Sequence, residues 1–312
     1  MTRRGRRRSA EAPGPSGFLV VDKPAGWTSH DVVDAARGWF GTRRVGHLGT
    51  LDPLATGVLP LAIRAATKLV PYVQDRDKGY VGSICLGRVT DTLDAEGRVL
   101  REYAGPWPDE ARVEQAMQRY LGELEQVPPM FSAVKKDGVP LHKLAREGRE
   151  VPREPKRVRV HRFELRKYDP PRIEIAVECS GGTYVRVLAA DLGDRLGCGA
   201  HLADLRRTRS GPFTLDQASS PETLRVEAES GEIERRLVSP LEALGLPARR
   251  LTADEVDRVA QGSEIAAGGP PEVPGTQMVA HDEHGRVIGI LELRPGRRLR
   301  PLRVLEPFAG RH

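Results

Sequence analysis

The sequence lacks any long apolar run and has little cysteine, and both shortages narrow the class of protein. Without a stretch of about 18 apolar residues, no transmembrane helix is expected. The Arg-rich start is not followed by the apolar segment that a secretory signal requires. Cys85, Cys179 and Cys198 lie far apart with no CxxC pair, which argues against a zinc site or a disulfide framework. We therefore expect a cytoplasmic protein that makes no contact with a membrane.

The charge of the chain is modest but unevenly distributed. Its 312 residues are enough for two domains of about 100–200 residues each. Lys and Arg number 49 against 43 acidic residues, a formal charge of +6. The basic residues concentrate in Met1–Ser9, Lys156–Arg172 and Arg294–Arg303. Such clusters are typical of nucleic-acid binders, although a solvated basic face explains them equally well.

Changes in composition divide the chain into three parts. Residues 1–16 read as a disordered basic arm with a Pro/Gly/Ser linker, and residues 17–245 as the main domain. Residues 129–157 form a basic excursion from that domain, called the insertion below. Residues 246–312 contain one short helix and three short apolar strands, so we expect a small, mostly β domain. Irregular alternation of strands and helices favours an α+β fold with a mixed or antiparallel sheet.

Several elements of the main domain follow from hydrophobic spacing. Phe18–Val21 and the alternating segment RIEIAVECS predict strands, and Thr28 or Ser29 is suited to cap a helix. The segment after GGTY predicts a helix with four inward-facing residues, namely Val185, Leu188, Leu192 and Leu196. After Gln217 the sequence shows helical pieces but little core.

The stretch GHLGTLDPLATGVLP, residues 46–60, places Asp52 before a proline. Asp-Pro commonly starts a turn, because Pro fixes φ and the Asp side chain bonds nearby backbone. Spacing alone therefore indicates a turn and nothing more.

Five segments together resemble the TruB family of tRNA pseudouridine synthases. They span residues 17–215 and occur in the family's order: GFLVVDKPAGWTSHDVV, RRVGHLGTLDPLATGVLPLAI, KGYVGSICLGRVTDTLDAEG, CSGGTYVRVLAADLG and HLADLRRTRSGPFTL. The resemblance implies a pseudouridine synthase catalytic domain, a PUA-like RNA-binding domain at residues 246–312, and an insertion that grips RNA.

The resemblance also implies roles for individual residues. Asp52 matches the catalytic aspartate, and Arg186 the arginine that pairs with it. Tyr80 matches a tyrosine that stacks on the target uracil and helps to move the C5 proton. Tyr184 and Leu205 match positions that line the uracil pocket. By themselves, Tyr80 and Leu205 would be read as core and Arg186 as an exposed helix-start residue.

Three further residues are implied as RNA contacts or supports. His47 matches a histidine beside the flipped nucleotide, where its ring fills the space of a base. Lys23 belongs to a Lys-Pro pair beside the catalytic loop and is a candidate RNA contact or support. Lys68 is a candidate phosphate contact.

The implied reaction converts uridine 55 in the T-loop of tRNA to pseudouridine after base flipping. No oxidation state changes, so we expect neither a cofactor nor a metal. A carboxylate can attack C1′, add at C6 or abstract the C2′ proton, and the sequence does not choose among these routes. The expected partner is the T-arm of tRNA, bound by a monomer without an obligate protein partner.

Three alternatives stay open. A guide-RNA-dependent, dyskerin-like enzyme shares the Asp loop but lacks a bacterial-type insertion. A non-catalytic RNA-binding protein could keep the same scaffold. A metal-dependent nuclease is disfavoured, because Asp52, Asp91 and Asp94 do not form a recognisable ligand set.

Overall fold

The computed structural model describes residues 14–74, 76–132, 134–268 and 273–305. Most of the predicted basic arm, residues 1–13, lies outside the described residues. The described strands, in chain order, are β1 Gly17–Lys23, β2 Val45–His47, β3 Thr56–Ile63, β4 Lys78–Leu86, β5 Arg88–Thr90, β6 Val99–Glu102, β7 Gly122–Gln126, β8 Lys135–Lys136, β9 Val139–Pro140, β10 Lys156–Asp169, β11 Arg172–Cys179, β12 Ala200–Ser210, β13 Phe213–Thr214, β14 Ala248–Arg250, β15 Ile265–Ala266, β16 Gln277–His281, β17 Val287–Arg294 and β18 Arg298–Val304.

The described α-helices are α1 Ser29–Trp39, α2 Glu110–Gln118, α3 Leu141–Arg146, α4 Val185–Leu196, α5 Pro221–Glu229, α6 Pro240–Leu244 and α7 Ala253–Ala260. Turns of 3₁₀ helix cover Arg64–Tyr72, Leu215–Gln217 and Ile233–Arg236. Across the described ranges, no helix combines the length and the apolar character needed to cross a membrane.

The main sheet is mixed, as the sequence predicts. Its strands lie in the order β1-β3-β12-β4-β11-β10-β7, with β2 beside β3 and β13 beside β12. Neighbouring strands are antiparallel except β3 and β12, which run parallel. Alternation along β11 sends Ile173, Ile175, Val177 and Cys179 into the core, because successive side chains of a strand face opposite sides. The sheet thereby offers one apolar face to the helices.

Two helices that carry or support the site form where expected. Thr28 caps α1, since the Asp31 N–H donates to Thr28 Oγ1 at 3.1 Å and the Thr28 N–H donates to Asp31 Oδ2 at 2.7 Å. Helix α4 buries the four residues predicted to face inward and ends at Gly197, whose φ of 83° is left-handed. The buried stripe orients α4 so that its first turn lies beside the loop that carries Asp52.

The insertion leaves the sheet after β7 and returns at β10. It contains the β8–β9 hairpin and the short helix α3. The pairing of Gln126 in β7 with Lys156 in β10 brings the two ends of the insertion together at the edge of the main sheet.

The second sheet is larger than predicted. Five strands, in the order β14-β16-β17-β18-β15, form it in place of the expected three. The two strands beyond the prediction are the short edge strands β14 and β15. Part of this sheet packs on the main domain, because Val279 and Ile290 share a core with Phe18 and Phe213.

The expectation of little core after Gln217 is wrong. Leu224 and Ile233 are buried in the core of the main sheet. Ala243 and Leu244 pack into the core shared with the second sheet. Each short helix contributes too few apolar residues for a clear period, so tertiary packing is what buries them.

Candidate active site

The loop that carries Asp52 is fixed from three sides. From α1, the Ser29 hydroxyl donates to the Leu51 carbonyl at 3.0 Å and accepts from the Leu51 N–H at 2.8 Å. From β1, the Lys23 ammonium donates to the Pro53 carbonyl at 3.3 Å. From β12, Arg207 donates to the carbonyls of residues 49 and 50, each at 3.3 Å. The predicted turn is therefore a rigid one, with Asp52 between its supports.

Arg186, the second residue of α4, holds Asp52 in a two-point ion pair. Its Nε lies 3.0 Å from Asp52 Oδ2, and its Nη2 donates to Asp52 Oδ1 at 3.2 Å. The same guanidinium contacts Asp94 Oδ2 through Nη1 at 3.1 Å and donates to the carbonyls of Thr92 and Phe131 at 3.1 and 2.9 Å. Because the planar Arg186 guanidinium donates to this many acceptors, it is held in one orientation. The Asp52 carboxylate that it binds is therefore fixed as well.

Asp52 differs from Asp94 in its access to solvent. The Asp52 side chain is 34% exposed, whereas the side chains of Asp94 and Arg186 are 4% and 5% exposed. Burial raises the pKa of the Asp52 carboxyl above its ordinary value, and the Arg186 charge opposes that rise. The neighbouring Asp94 charge raises it further. Of the two carboxylates on this arginine, Asp52 is the one that can reach a ligand.

Tyr80 and Arg207 lie side by side beneath the same loop. They are directly paired residues of β4 and β12, which places both side chains on the core face. Burial raises the pKa of the Tyr80 hydroxyl to about 12, opposed by the Arg207 guanidinium beside it. Arg207 is fully buried, donates to the Val58 carbonyl at 2.6 Å, and forms no ion pair with a carboxylate of the described chain. A buried cation of this kind is costly, and here it supports the loop and Tyr80 together.

Gly57 makes room for the β12 backbone. A Cβ atom at Gly57 would lie 2.2 Å from the Arg207 carbonyl oxygen, and its φ of 97° is left-handed. Only glycine allows β3 and β12 to approach this closely. Gly57, in the stretch GHLGTLDPLATGVLP, thus fixes the position of Arg207.

A cavity of about 320 Å³ opens between the loop, β4, β12 and the start of α4. Five residues predicted for the site line it, namely Asp52, Tyr80, Tyr184, Arg186 and Leu205. Lys78 and Arg207 lie on the same wall as Tyr80. Burial raises the pKa of the Tyr184 hydroxyl, and the adjacent Ser132 side chain opposes that rise. The cavity combines a carboxylate, two phenols and an apolar side chain.

The three remaining predicted residues lie outside this lining. His47 is half-buried in β2, its Nδ1 has no partner in the described chain, and burial lowers the pKa of its ring. Lys23 is fully buried, its ammonium donates to three carbonyls, and burial lowers its pKa to about 8. Lys68 donates to the Val304 carbonyl at 3.0 Å. These placements make Lys23 and Lys68 structural supports and do not favour the predicted RNA contacts.

Three residues of the site are missing from the sequence prediction. Asp94 was considered only as a metal ligand, yet it holds Arg186. Arg207 shares a face of β12 with Leu205, but arginine is seldom fully buried, so its residue type did not indicate an inward position. Gln126, at the end of β7, bonds the backbone of Tyr184, and no sequence pattern marks it.

Of the acidic set considered for a metal site, Asp52 and Asp94 are paired with Arg186, and only Asp91 lies apart from it. Asp91 pairs with Arg98 at 3.2 Å and does not contact Arg186. In the parts of the chain that the structure covers, no group of three His, Cys, Asp or Glu residues is arranged to hold a metal ion.

Comparison with known proteins gives a consistent result. Residues 37–185 match the family model of the TruB family pseudouridylate synthase N-terminal domain, and residues 186–244 match that of the tRNA pseudouridylate synthase B C-terminal domain. The tRNA pseudouridine synthase B of Geobacter sulfurreducens is 50% identical over 249 residues, which are 79% of this chain and 81% of that protein. The enzyme of the same name from Pseudomonas paraeruginosa is 45% identical over 297 residues, covering 93% of this chain and 96% of that one.

Among solved structures, a chain of a Cbf5–Nop10–Gar1 complex superposes with a TM-score of 0.69 at 25% sequence identity. The match covers 93% of this chain and 85% of that chain. The likeness therefore extends over both sheets.

Proposed function

The chain belongs to the TruB family of pseudouridine synthases, and on that premise we propose that it converts uridine 55 in the T-loop of tRNA to pseudouridine, with Asp52 as the essential carboxylate. The observation that carries the proposal is the two-point Asp52–Arg186 pair at the wall of a cavity. The carboxylate faces that cavity, and the arginine that orients it is itself held by Asp94.

The reaction breaks the N1–C1′ bond, turns the uracil and joins its C5 to C1′. The C5 proton leaves and N1 gains a proton, so the two sides balance without a redox partner. Asp52 acts as its carboxylate, by attack at C1′, addition at C6 or removal of the C2′ proton. The Arg186 ion pair favours the ionised form that each route requires.

The cavity suits a flipped pyrimidine. Tyr80 and Tyr184 offer aromatic faces, and Leu205 offers an apolar contact, which together provide stacking and packing for a flat ring. In this proposal Tyr80 also takes part in moving the C5 proton, as the resemblance implies. Extruding a base from a folded loop costs a few kcal/mol, which contacts to the RNA backbone must offset.

Different parts of the chain have different roles in this proposal. Residues 17–245 form the catalytic domain, and residues 246–312 act as a PUA-like RNA-binding domain. The Lys and Arg residues of the insertion bind the backbone of the T-arm, while RNA shape and the flipped base give specificity. His47 fills the space that the base leaves. The enzyme works as a monomer on tRNA alone.

The guide-dependent alternative is addressed by one experiment. The purified protein is incubated with an unmodified tRNA transcript, without guide RNA or other proteins, and pseudouridine is located by a chemistry specific for that base. We expect product at position 55, and none in a transcript with cytidine there. Product that appears only after guide RNA is added would reject the stand-alone enzyme. Tight binding without product would favour a non-catalytic RNA-binding protein.

A further inference from the structure

Gln126 connects the start of the insertion to the first turn of α4. We propose that Gln126 is a positioning residue of the active site, which holds the backbone of Tyr184 so that Tyr184 and Arg186 face the cavity correctly. This inference rests on the proposed function, because it assigns Gln126 a part in the same reaction.

The two residues are joined by a reciprocal pair of hydrogen bonds. The Tyr184 N–H donates to Gln126 Oε1 at 3.0 Å, and Gln126 Nε2 donates to the Tyr184 carbonyl at 3.3 Å. The side-chain amide thus meets both main-chain groups of one residue, as a neighbouring strand would. Gln126 is only 3% exposed, so water is a poor substitute for these bonds.

The start of α4 needs this external restraint. Tyr184 is the N-cap residue of the helix but makes no side-chain cap hydrogen bond. Ser, Thr, Asp or Asn usually fills that position and fixes the first turn locally. Here the restraint comes from β7, and Arg186 follows two residues after the tethered backbone. A shift of Tyr184 would move the guanidinium that orients Asp52.

Two more residues from this region contact the same segment. The Phe131 carbonyl accepts from Arg186 Nη2 at 2.9 Å, and the Ser132 side chain lies beside the Tyr184 hydroxyl. We call Gln126, Phe131 and Ser132 the insertion root. Both ends of the insertion meet at the Gln126–Lys156 pair, so the insertion root joins this edge of the main sheet to the first turn of α4.

The first test replaces Gln126 by a residue of similar length that makes no hydrogen bond. Gln126→Met is compared with Tyr168→Phe, which loses one side-chain bond to the Pro108 carbonyl near the opposite end of β10. Single-turnover release of tritium from C5-labelled tRNA, tRNA affinity and the thermal midpoint are measured for both. A misplacement of about 1 Å can cost ~100-fold in rate, so we expect turnover of Gln126→Met to fall by about 10- to 100-fold. Its tRNA affinity and the turnover of Tyr168→Phe stay at the wild-type level.

The second test distinguishes positioning from general support. In Gln126→Glu, a protonated carboxyl can donate and accept as the amide does, whereas the ionised form only accepts and repels the Tyr184 carbonyl. Burial raises the pKa of such a carboxyl above its ordinary value of about 4.3. The ratio of variant to wild-type turnover should therefore fall as the pH rises through that pKa. Division by the wild-type rate removes the titration of Asp52.

The outcomes separate the two proposals. Wild-type turnover in Gln126→Met, or a loss in affinity alone, would overturn the role of Gln126 while leaving the proposed function intact. A pH-independent ratio for Gln126→Glu would do the same, and this ratio decides the matter if Gln126→Met does not fold. An inactive wild-type protein would overturn the proposed function and this inference with it.

Discussion

Replacing Arg186 by methionine should destabilise the protein through Asp94 more than through Asp52. The change leaves two carboxylates without their shared cation, and Asp94 is 4% exposed. Removing one partner of a buried ion pair costs about 3–5 kcal/mol, because the other charge stays buried and unpaired. Asp52 is 34% exposed, so solvent screens part of its charge. Leaving Asp52 without Arg186 therefore adds little to that cost. At about 3 °C per kcal/mol, the thermal midpoint should fall by about 10 °C at neutral pH.

The assay uses thermal and urea unfolding of three variants. The double variant, Arg186→Met with Asp94→Asn, should recover most of the stability that Arg186→Met loses, because the unpaired buried charge is gone. It should nevertheless stay inactive. Arg206→Met is the matched control, because Arg206 also holds a carboxylate at two points, 3.0 and 2.8 Å from Asp22, but the side chains of this pair are 39% and 32% exposed. Its loss should cost below about 1 kcal/mol.

Two results would refute this reasoning. One is a loss of stability in Arg186→Met no greater than in Arg206→Met. The other is a double variant that is no more stable than Arg186→Met alone.

Three further outcomes follow from the site. Asp52→Asn should not lower the thermal midpoint, because a raised pKa means that the ionised carboxylate is disfavoured by folding; a clear drop in a melting curve would contradict this. Under the proposed mechanism turnover requires ionised Asp52, so it should be lost as the pH falls through the Asp52 pKa, which burial raises above the ordinary value of an aspartate. Asp94→Asn should move this acidic limb of the pH–rate profile to lower pH, because it removes a charge that raises the Asp52 pKa. An unchanged limb in Asp94→Asn would show that the two carboxylates do not interact. Arg207→Met should lower single-turnover rates about tenfold or more, because it frees the carbonyls of the loop that carries Asp52, while tRNA affinity is retained. Wild-type rates in this variant would show that the loop holds its shape without Arg207.

Local patterns in the sequence predicted the elements that carry the site. Alternation marked β11, and the buried stripe of α4 placed Arg186 at the start of a helix. The resemblance then identified Asp52 and Tyr80, which the structure brings to one cavity. These residues were predictable because each lies in a short motif whose spacing carries information.

Residues that act through distant partners were not predictable in this way. Asp94 meets Arg186 across 92 positions of sequence, and Gln126 meets Tyr184 across 58. Arg207 departs from the rule that arginine is seldom fully buried, so a pattern-based interpretation assigns it to the surface. Each of these contacts exists only once the main sheet has assembled, and no local propensity encodes it.

The most direct test of the central claim is tritium release from C5-labelled tRNA by wild type and Asp52→Asn. Joining C5 to C1′ expels the C5 hydrogen, so release reports the new bond itself. The wild-type protein should release tritium from the bare transcript, whereas Asp52→Asn should bind the same tRNA and release none. Release by Asp52→Asn at the wild-type rate would contradict the role of Asp52.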